Sequence, residues 1–251
     1  MDALCAPTRR LFLHRMLWAA GLSTVGILPA ACSSEWSLLS PRPVDWTMKP
    51  LSSARTEQNV FADGHVDLRI EHELLRGVTP QMLVWWWRNI EGEMEIKGQK
   101  YFRYLIWHPV DHIHFAVVKR LADGSVGVGS TFHLVEALGA DMKNLIDVLL
   151  QLRRLDETGA TVELDMFGRT VMRIHGDFVA ESDGTRVIST MTLGGPGWLS
   201  RIGLIDWFFP AERRRAWLKH SVEEIGNLQF FLPALYARHA RAGETGERMP
   251  A

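Results

Sequence analysis

His220 and Glu224 stand four residues apart within Pro210 to Ala240, PAERRRAWLKHSVEEIGNLQFFLPALYARHA, the longest stretch of helical periodicity in the chain. One helical turn sets the imidazole above the carboxylate on one face, and such a pair can hold a metal ion between its N and O donors. The same pair often does no more than support a solvated helix surface. Other segments carry further candidate groups. Trp107-His108-Pro109-Val110-Asp111-His112 is a polar knot inside strongly apolar sequence, where buried polar groups need partners. His133 and Glu136 follow within one hairpin. The two cysteines, Cys5 and Cys32, both lie near the N-terminus, so a metal in this chain is held by His, Asp or Glu.

These groups need elements to position them. Pro210 suits a helix start and Glu212 complements the helix dipole. Trp217, Ser221, Ile225, Leu228, Leu232 and Leu235 form the stripe to be buried, with His220 and Glu224 beside it and Lys219 and Glu223 towards water. Pro233 removes a donor for the carbonyl of Gln229, which predicts a kink or break near Leu232 and a short tail beyond. Thr79-Pro80 opens a short helix, Gln81 to Ile90, whose three adjacent indoles, Trp85, Trp86 and Trp87, cannot share one face. Tyr101 to Trp107 and Ile113 to Lys119 read as strands, followed by a turn at Asp123-Gly124 and a strand from Val126 to Phe132 leading into HLVEALG. Leu145 to Leu155 fits helix or strand, and the DETG before TVELDMF favours a hairpin. Thr170 to Ala180 and Arg186 to Leu193, joined by SDGT, form another, and Gly194-Gly195-Pro196-Gly197 leads to the long helix. Antiparallel strands followed by one long C-terminal helix give an α+β fold with the helix packed on a curved sheet.

The 251 residues, 47% of them hydrophobic, can supply a proper core. With 28 basic and 29 acidic side chains and a net charge of −1, the chain has no electrostatic footprint for nucleic acid. Residues 1–32 have the layout of an export signal: Arg9-Arg10 before Phe12-Leu13 resembles a twin-arginine leader, and Cys32 after Ala30-Ala31 is placed as a lipid-acceptor cysteine and membrane anchor. The expected location is outside the cytoplasm, periplasmic or anchored on the outer side of the membrane. Residues 33–60 read as a linker or an extended wrap, 61–241 as the functional domain and 242–251 as a flexible tail.

WHPVDH, HLVE and the HSVEE helix leading into LQFFLPAL, in that order and at similar separations, resemble the diacetylphloroglucinol hydrolase family of zinc-dependent carbon–carbon hydrolases over roughly residues 60 to 240. The resemblance implies a helix-grip fold, like that of pollen allergens and lipid-transfer domains, with a cavity between sheet and helix. It implies zinc held by His108, Glu136, His220 and Glu224, and an aromatic ketone as the small-molecule partner. Asp111 stands where the characterised enzyme carries an amide, which implies a different set of substrate hydrogen bonds, and Tyr101 and Tyr104 are the candidate substrate-contacting tyrosines. Cleaving an acylated phenol in the retro-Claisen sense requires a polarised carbonyl, an activated water and a proton for the departing ring carbon. His112 or Asp111 can manage that proton, and His112 equally fits support of His108. A second reading, from a different class, is a helix-grip module that binds an apolar or aromatic ligand with a structural metal or none, since four protein ligands would close a tetrahedral shell.

Overall fold

Strand GTRVISTMTL buries every second side chain along its length, and this alternation recurs in the strands around it, so one face of the sheet is apolar. The computed structural model describes residues 36–166, 168–194 and 204–245; the expected export signal with Cys32, most of the glycine-rich 194–197 segment and residues 246–251 lie outside the described residues. The strands are β1 (Arg55–Val60), β2 (Val66–Glu71), β3 (Leu75–Arg76), β4 (Glu93–Ile96), β5 (Gln99–Phe102), β6 (His112–Lys119), β7 (Thr131–Ala137), β8 (Leu145–Asp156), β9 (Gly159–Met166), β10 (Arg169–Glu181) and β11 (Gly184–Leu193). Nine of them form one antiparallel sheet in the order β1-β2-β11-β10-β9-β8-β7-β6, with β3 also paired to β11, while β4 and β5 make a separate hairpin. Register shifts at Thr170/Met172, Leu152/Arg154 and His112/His114 place an extra residue on one strand of a pair and bend the sheet.

The helices are α1 (Pro80–Asn89), α2 (Arg103–Trp107), α3 (Leu204–Phe208) and α4 (Ala211–Thr245). The architecture is α+β, with the long C-terminal α4 against a large antiparallel sheet. Thr79 caps α1 by accepting from Met82 N at 3.3 Å. Its three indoles separate as their spacing demands. Trp86 is fully buried against Trp107 and Phe231, Trp87 faces the interior cavity, and half-buried Trp85 packs on Tyr236 under the Arg103 guanidinium. Leu145–Asp156 and Gly159–Met166 form the hairpin favoured by DETG. Residues 38–50 lie extended over the domain. Arg42 N donates to Pro109 O at 3.0 Å, and Trp46 stacks on Phe230 and donates to Asn227 Oδ1 at 3.0 Å. β1 follows as an edge strand paired with β2, within the stretch expected to be linker or wrap. Among the described residues no helix is long and apolar enough to cross a membrane.

Four local expectations are corrected. Tyr101 to Trp107 is not a continuous strand: β5 ends at Phe102 and α2 begins, fastened by Arg103, whose backbone N donates to Gly92 O at 2.7 Å and whose side chain donates to Glu93 O and Asn89 O. This turn carries Tyr104 inward. Val126 to Phe132 is mostly loop, with β7 starting only at Thr131, because Gly129 takes a left-handed φ of 104° that ends extended pairing. Of the expected kink or break at Pro233, the break does not occur, since helix α4 continues through it. A proline inside a helix costs about 3 kcal/mol, whereas burying Phe231, Leu232 and Leu235 stabilises by about 1.5–3 kcal/mol each, so packing holds the helical path. Finally, Glu223 does not face water. It is buried, because the segment 107–111 covers that side of α4 as well.

Candidate metal centre

The site forms where α2 and the start of β6 meet α4. Two bonds fasten the junction: Trp107 Nε1 donates to Glu224 O at 2.8 Å, and Asn227 Nδ2 donates to Trp107 O at 2.8 Å. β6 opens at His112, and the β6–β7 register sets Glu136 directly opposite. Helix α4 adds His220 and Glu224 from successive turns of one face. The result is a closed ring of donors. His112 Nε2 lies 3.4 Å from Glu136 Oε1 and 3.6 Å from Glu224 Oε2, and His220 Nε2 lies 3.6 Å from Glu136 Oε2 and 3.6 Å from Glu224 Oε2.

Tautomers follow from the partners. His112 Nδ1 is 2.6 Å from the carbonyl of Tyr104, which can only accept, so Nδ1 carries the hydrogen. In the neutral ring Nε2 is then a bare lone pair. It is fully buried, makes no hydrogen bond and faces two carboxylates. A lone pair aimed at carboxylates is an unfavourable arrangement that a cation between them removes. His220 is set in the same way: Nδ1 donates to Asp111 Oδ2 at 2.9 Å, leaving Nε2 to the ring. Asp111 is anchored in turn by Gly139 N at 2.8 Å and Ala140 N at 2.9 Å. Both residues take left-handed φ values, 71° and 55°, which aim their successive N–H groups at one carboxylate. A His ligand whose second nitrogen is held by a carboxylate or carbonyl is the usual support for a metal.

One expected ligand stands apart from this ring. His108 is not in the ring; its neighbour His112 is. His108 Nδ1 accepts from Asp111 N at 3.0 Å and its Nε2 lies 3.3 Å from Glu223 Oε2, so both nitrogens have partners outside the ring. Its ring stacks on His220 at 4.4 Å and buttresses it. Glu136, His220 and Glu224 stand together, and two sets of side chains present ligand atoms close enough to share an ion: His112, His220 and Glu224 within the ring, and His108, Asp111 and His220 beside it. Asp111 is also reassigned. Its carboxylate is held by His220 and the 139–140 turn, with His108 Nε2 at 3.7 Å, and it does not line the cavity, so it is placed to position His220. Tyr104 is buried, stacks on His112 with ring centroids 3.8 Å apart and donates from its hydroxyl to Glu136. Tyr101 instead donates to Gln99 at 2.7 Å on the surface hairpin, away from the ring. His133 sits outside it too, bonded to Asp147 at 2.9 Å. Sequence reasoning missed Glu223, which looked solvated, although Lys219 at i−4 was a visible partner and lies 2.6 Å from it.

Charge states reflect these contacts. Burial works to lower the His220 pKa, but Glu136, Glu224 and Asp111 outweigh it and hold it well above the usual histidine value. Burial tends to raise Glu224 and Asp111, and the surrounding imidazoles bring both below the usual carboxylate range. Burial and the charge of His220 push His108 down to about 4. Burial, followed by the charge of Glu136, pushes the Tyr104 hydroxyl well above its ordinary value, so it stays protonated.

A cavity of about 120 Å³ opens from the ring between α4 and the sheet. Tyr104, Glu136, His220 and Glu224 line one part, and Leu134, Val148, Leu150, Val162 and Met172 are among the apolar side chains of its sheet wall.

Residues 59–181 match the family model described as DAPG hydrolase PhiG domain. The matched segment contains Tyr104, Asp111, His112 and Glu136 and ends before His220 and Glu224. No curated protein gives a match. Similar solved structures include TTHA0849 from Thermus thermophilus, at 15% identity and a TM-score of 0.43 over 68% of this chain and 98% of that one. Others are SA2116 from Staphylococcus aureus (11%, TM-score 0.42, 72% and 98%) and Ms6760 from Mycobacterium smegmatis (8%, TM-score 0.42, 69% and 95%). Over residues 59–181 the chain is thus similar to the DAPG hydrolase family.

Proposed function

We propose that this chain is a zinc-dependent hydrolase that cleaves the carbon–carbon bond between the acyl group and the ring of an acylated phenol or related ketone. The observation that carries the reading is Nε2 of His112, buried without a hydrogen-bond partner and facing Glu136 and Glu224, with His220 completing the ring. His112, Glu136, His220 and Glu224 would hold the ion. The N/O donor set suits zinc, and a bound zinc ion polarises a carbonyl and acidifies water.

The chain's own groups supply the rest. The apolar cavity excludes bulk water and seats the ring of the substrate beside the carboxylates. In the overall reaction one water adds to the carbonyl carbon, the acyl–ring bond breaks, and the bonding pair leaves on the ring carbon, which takes a proton; the products are a carboxylic acid and the deacylated phenol. Tyr104 holds a proton at its hydroxyl at the cavity wall, next to Glu136, and is the group placed to give it up. His112, expected as a proton carrier, has one nitrogen on the Tyr104 carbonyl and the other in the ring, so that role passes to Tyr104.

The test is release of acid from acylphenols by the metal-loaded protein, measured with and without chelator. Hydrolysis that stops with chelation and returns with zinc is expected. A ligand-binding module is favoured by one feature, the four protein donors that can close a tetrahedral shell. Ligand binding with no turnover across the series would replace the hydrolase with that reading.

Metal uptake has a proton signature. The raised His220 pKa keeps its ring protonated at pH 7 in the metal-free protein, and a ligating nitrogen must be bare. Zinc binding at pH 7 should therefore release about one proton per site, read by calorimetry in buffers of different ionisation enthalpy. Because the proton is lost only below the raised pKa, release should fade as pH rises through it. Uptake with no proton release at pH 7 would show that His220 is not a ligand.

A further inference from the structure

On the sheet wall of the cavity, Ser189 stands among apolar neighbours. It lies on β11 and points inward with Val187 and Met191. Behind it, Nε2 of the buried His72 is 3.0 Å from its Oγ, fixing the hydroxyl in place. Directly across the strand pair stands Gly176, and beyond that Ala160, so the wall beside the hydroxyl is recessed. A Cβ at Gly176 would meet only Phe178, at an ordinary 3.7 Å. The space in front of Ser189 is thus left open by the choice of glycine.

We propose that Ser189, oriented by His72 and made accessible by Gly176, is a polar anchor for the ligand on the sheet wall, and that it selects an acylphenol with a ring hydroxyl within its reach over the same ring without one. This rests on the hydrolase reading for the acyl end alone. A serine hydroxyl offers one donor and two acceptor positions, and His72 uses one of them. The remaining capacity opens into an apolar cavity, where a matching ligand oxygen is favoured and an unmatched hydroxyl is penalised. The volume, about 120 Å³, is on the scale that holds a single aromatic ring. His72 is kept neutral by burial, which pushes its pKa down to about 4, and it lies close enough to feel the charge of Glu224, which ties this end of the cavity to the metal ring.

The experiment uses the zinc-loaded chain with 4-hydroxyacetophenone, acetophenone and 2,4,6-trihydroxyacetophenone, with binding read by quenching of the cavity tryptophans Trp87, Trp107 and Trp217. 4-Hydroxyacetophenone should bind about tenfold more tightly than acetophenone, and the trihydroxy compound should be preferred over acetophenone in the same way. Ser189→Ala should abolish this advantage over acetophenone while leaving acetophenone affinity unchanged. Gly176→Val should weaken all three by filling the recess. If Ser189→Ala does not fold, Ser189→Cys keeps the volume, weakens the hydrogen bond and should shrink the same ratio. Equal affinities in the parent, or a ratio that survives both Ser189 substitutions, would overturn the proposal. Hydrolysis is followed separately: a Ser189-dependent ratio without turnover would refute the hydrolase reading and leave the anchor standing, whereas turnover with an unaltered ratio would do the reverse.

Discussion

Replacing His112 by Ala should lower zinc affinity by about 100-fold or more and abolish hydrolysis, while His108→Ala should leave most of the zinc in place. The two residues lie four positions apart in one short segment and are both buried, so general disruption would not separate them. What separates them is where their nitrogens point. His112 offers a bare Nε2 to the ring, and a four-ligand site of about 10–16 kcal/mol that loses one donor loses roughly a quarter of that. His108 has both nitrogens engaged, with Asp111 N and Glu223. Its loss leaves Glu223 short of a partner, which costs about 1–3 kcal/mol of stability. Zinc titration and thermal melts of the two variants check this. Equal loss of zinc from both, or a greater loss from His108→Ala, would restore His108 as the ligand.

The second large effect is expected at Asp111→Asn. The change preserves volume, so the packing around residues 139–140 is kept. An amide, however, cannot accept from Gly139 N, Ala140 N and His220 Nδ1 as the carboxylate does. If its oxygen stays with the turn, its NH₂ faces His220 and favours hydrogen on Nε2, the nitrogen needed for the metal. Zinc affinity should fall by about 10–100-fold, and stability by about 2–3 kcal/mol because a buried charged acceptor is lost. The conservative Asp111→Glu should not rescue it, since the longer chain cannot meet both N–H groups and the imidazole together. Normal zinc affinity in Asp111→Asn would remove Asp111 from the support of His220.

The parts of this site that could be read from the chain are those set by local periodicity. His220 and Glu224 obey the one-turn rule of a helix, and their place beside the Trp217 to Leu235 stripe followed from 3.6-residue spacing. Antiparallel strands and their hairpins were legible from alternation and from turn residues such as the SDGT between β10 and β11. The choice between His108 and His112 depended on pairing across the β6–β7 hairpin. His112 comes opposite Glu136 only through the register shift between His112 and His114, which no local pattern announces. Reading Tyr101 to Trp107 as a strand obscured the site further, because α2 forms through Arg103 contacts with Asn89, Gly92 and Glu93, partners supplied by other elements. Glu223 was misplaced for a related reason: helical periodicity describes one buried face, and α4 is covered on a second side by the segment 107–111. His72 and Ser189 lie 117 positions apart and meet through the β2–β11 pairing, a contact no local pattern encodes.

Zinc-edge anomalous diffraction from crystals of the zinc-loaded protein tests the central claim most directly. One peak per chain is predicted, within bonding distance of His112 Nε2, His220 Nε2 and the carboxylates of Glu136 and Glu224, about 2.0–2.2 Å from each. A peak on His108 and Asp111, or no peak among these residues, would contradict it.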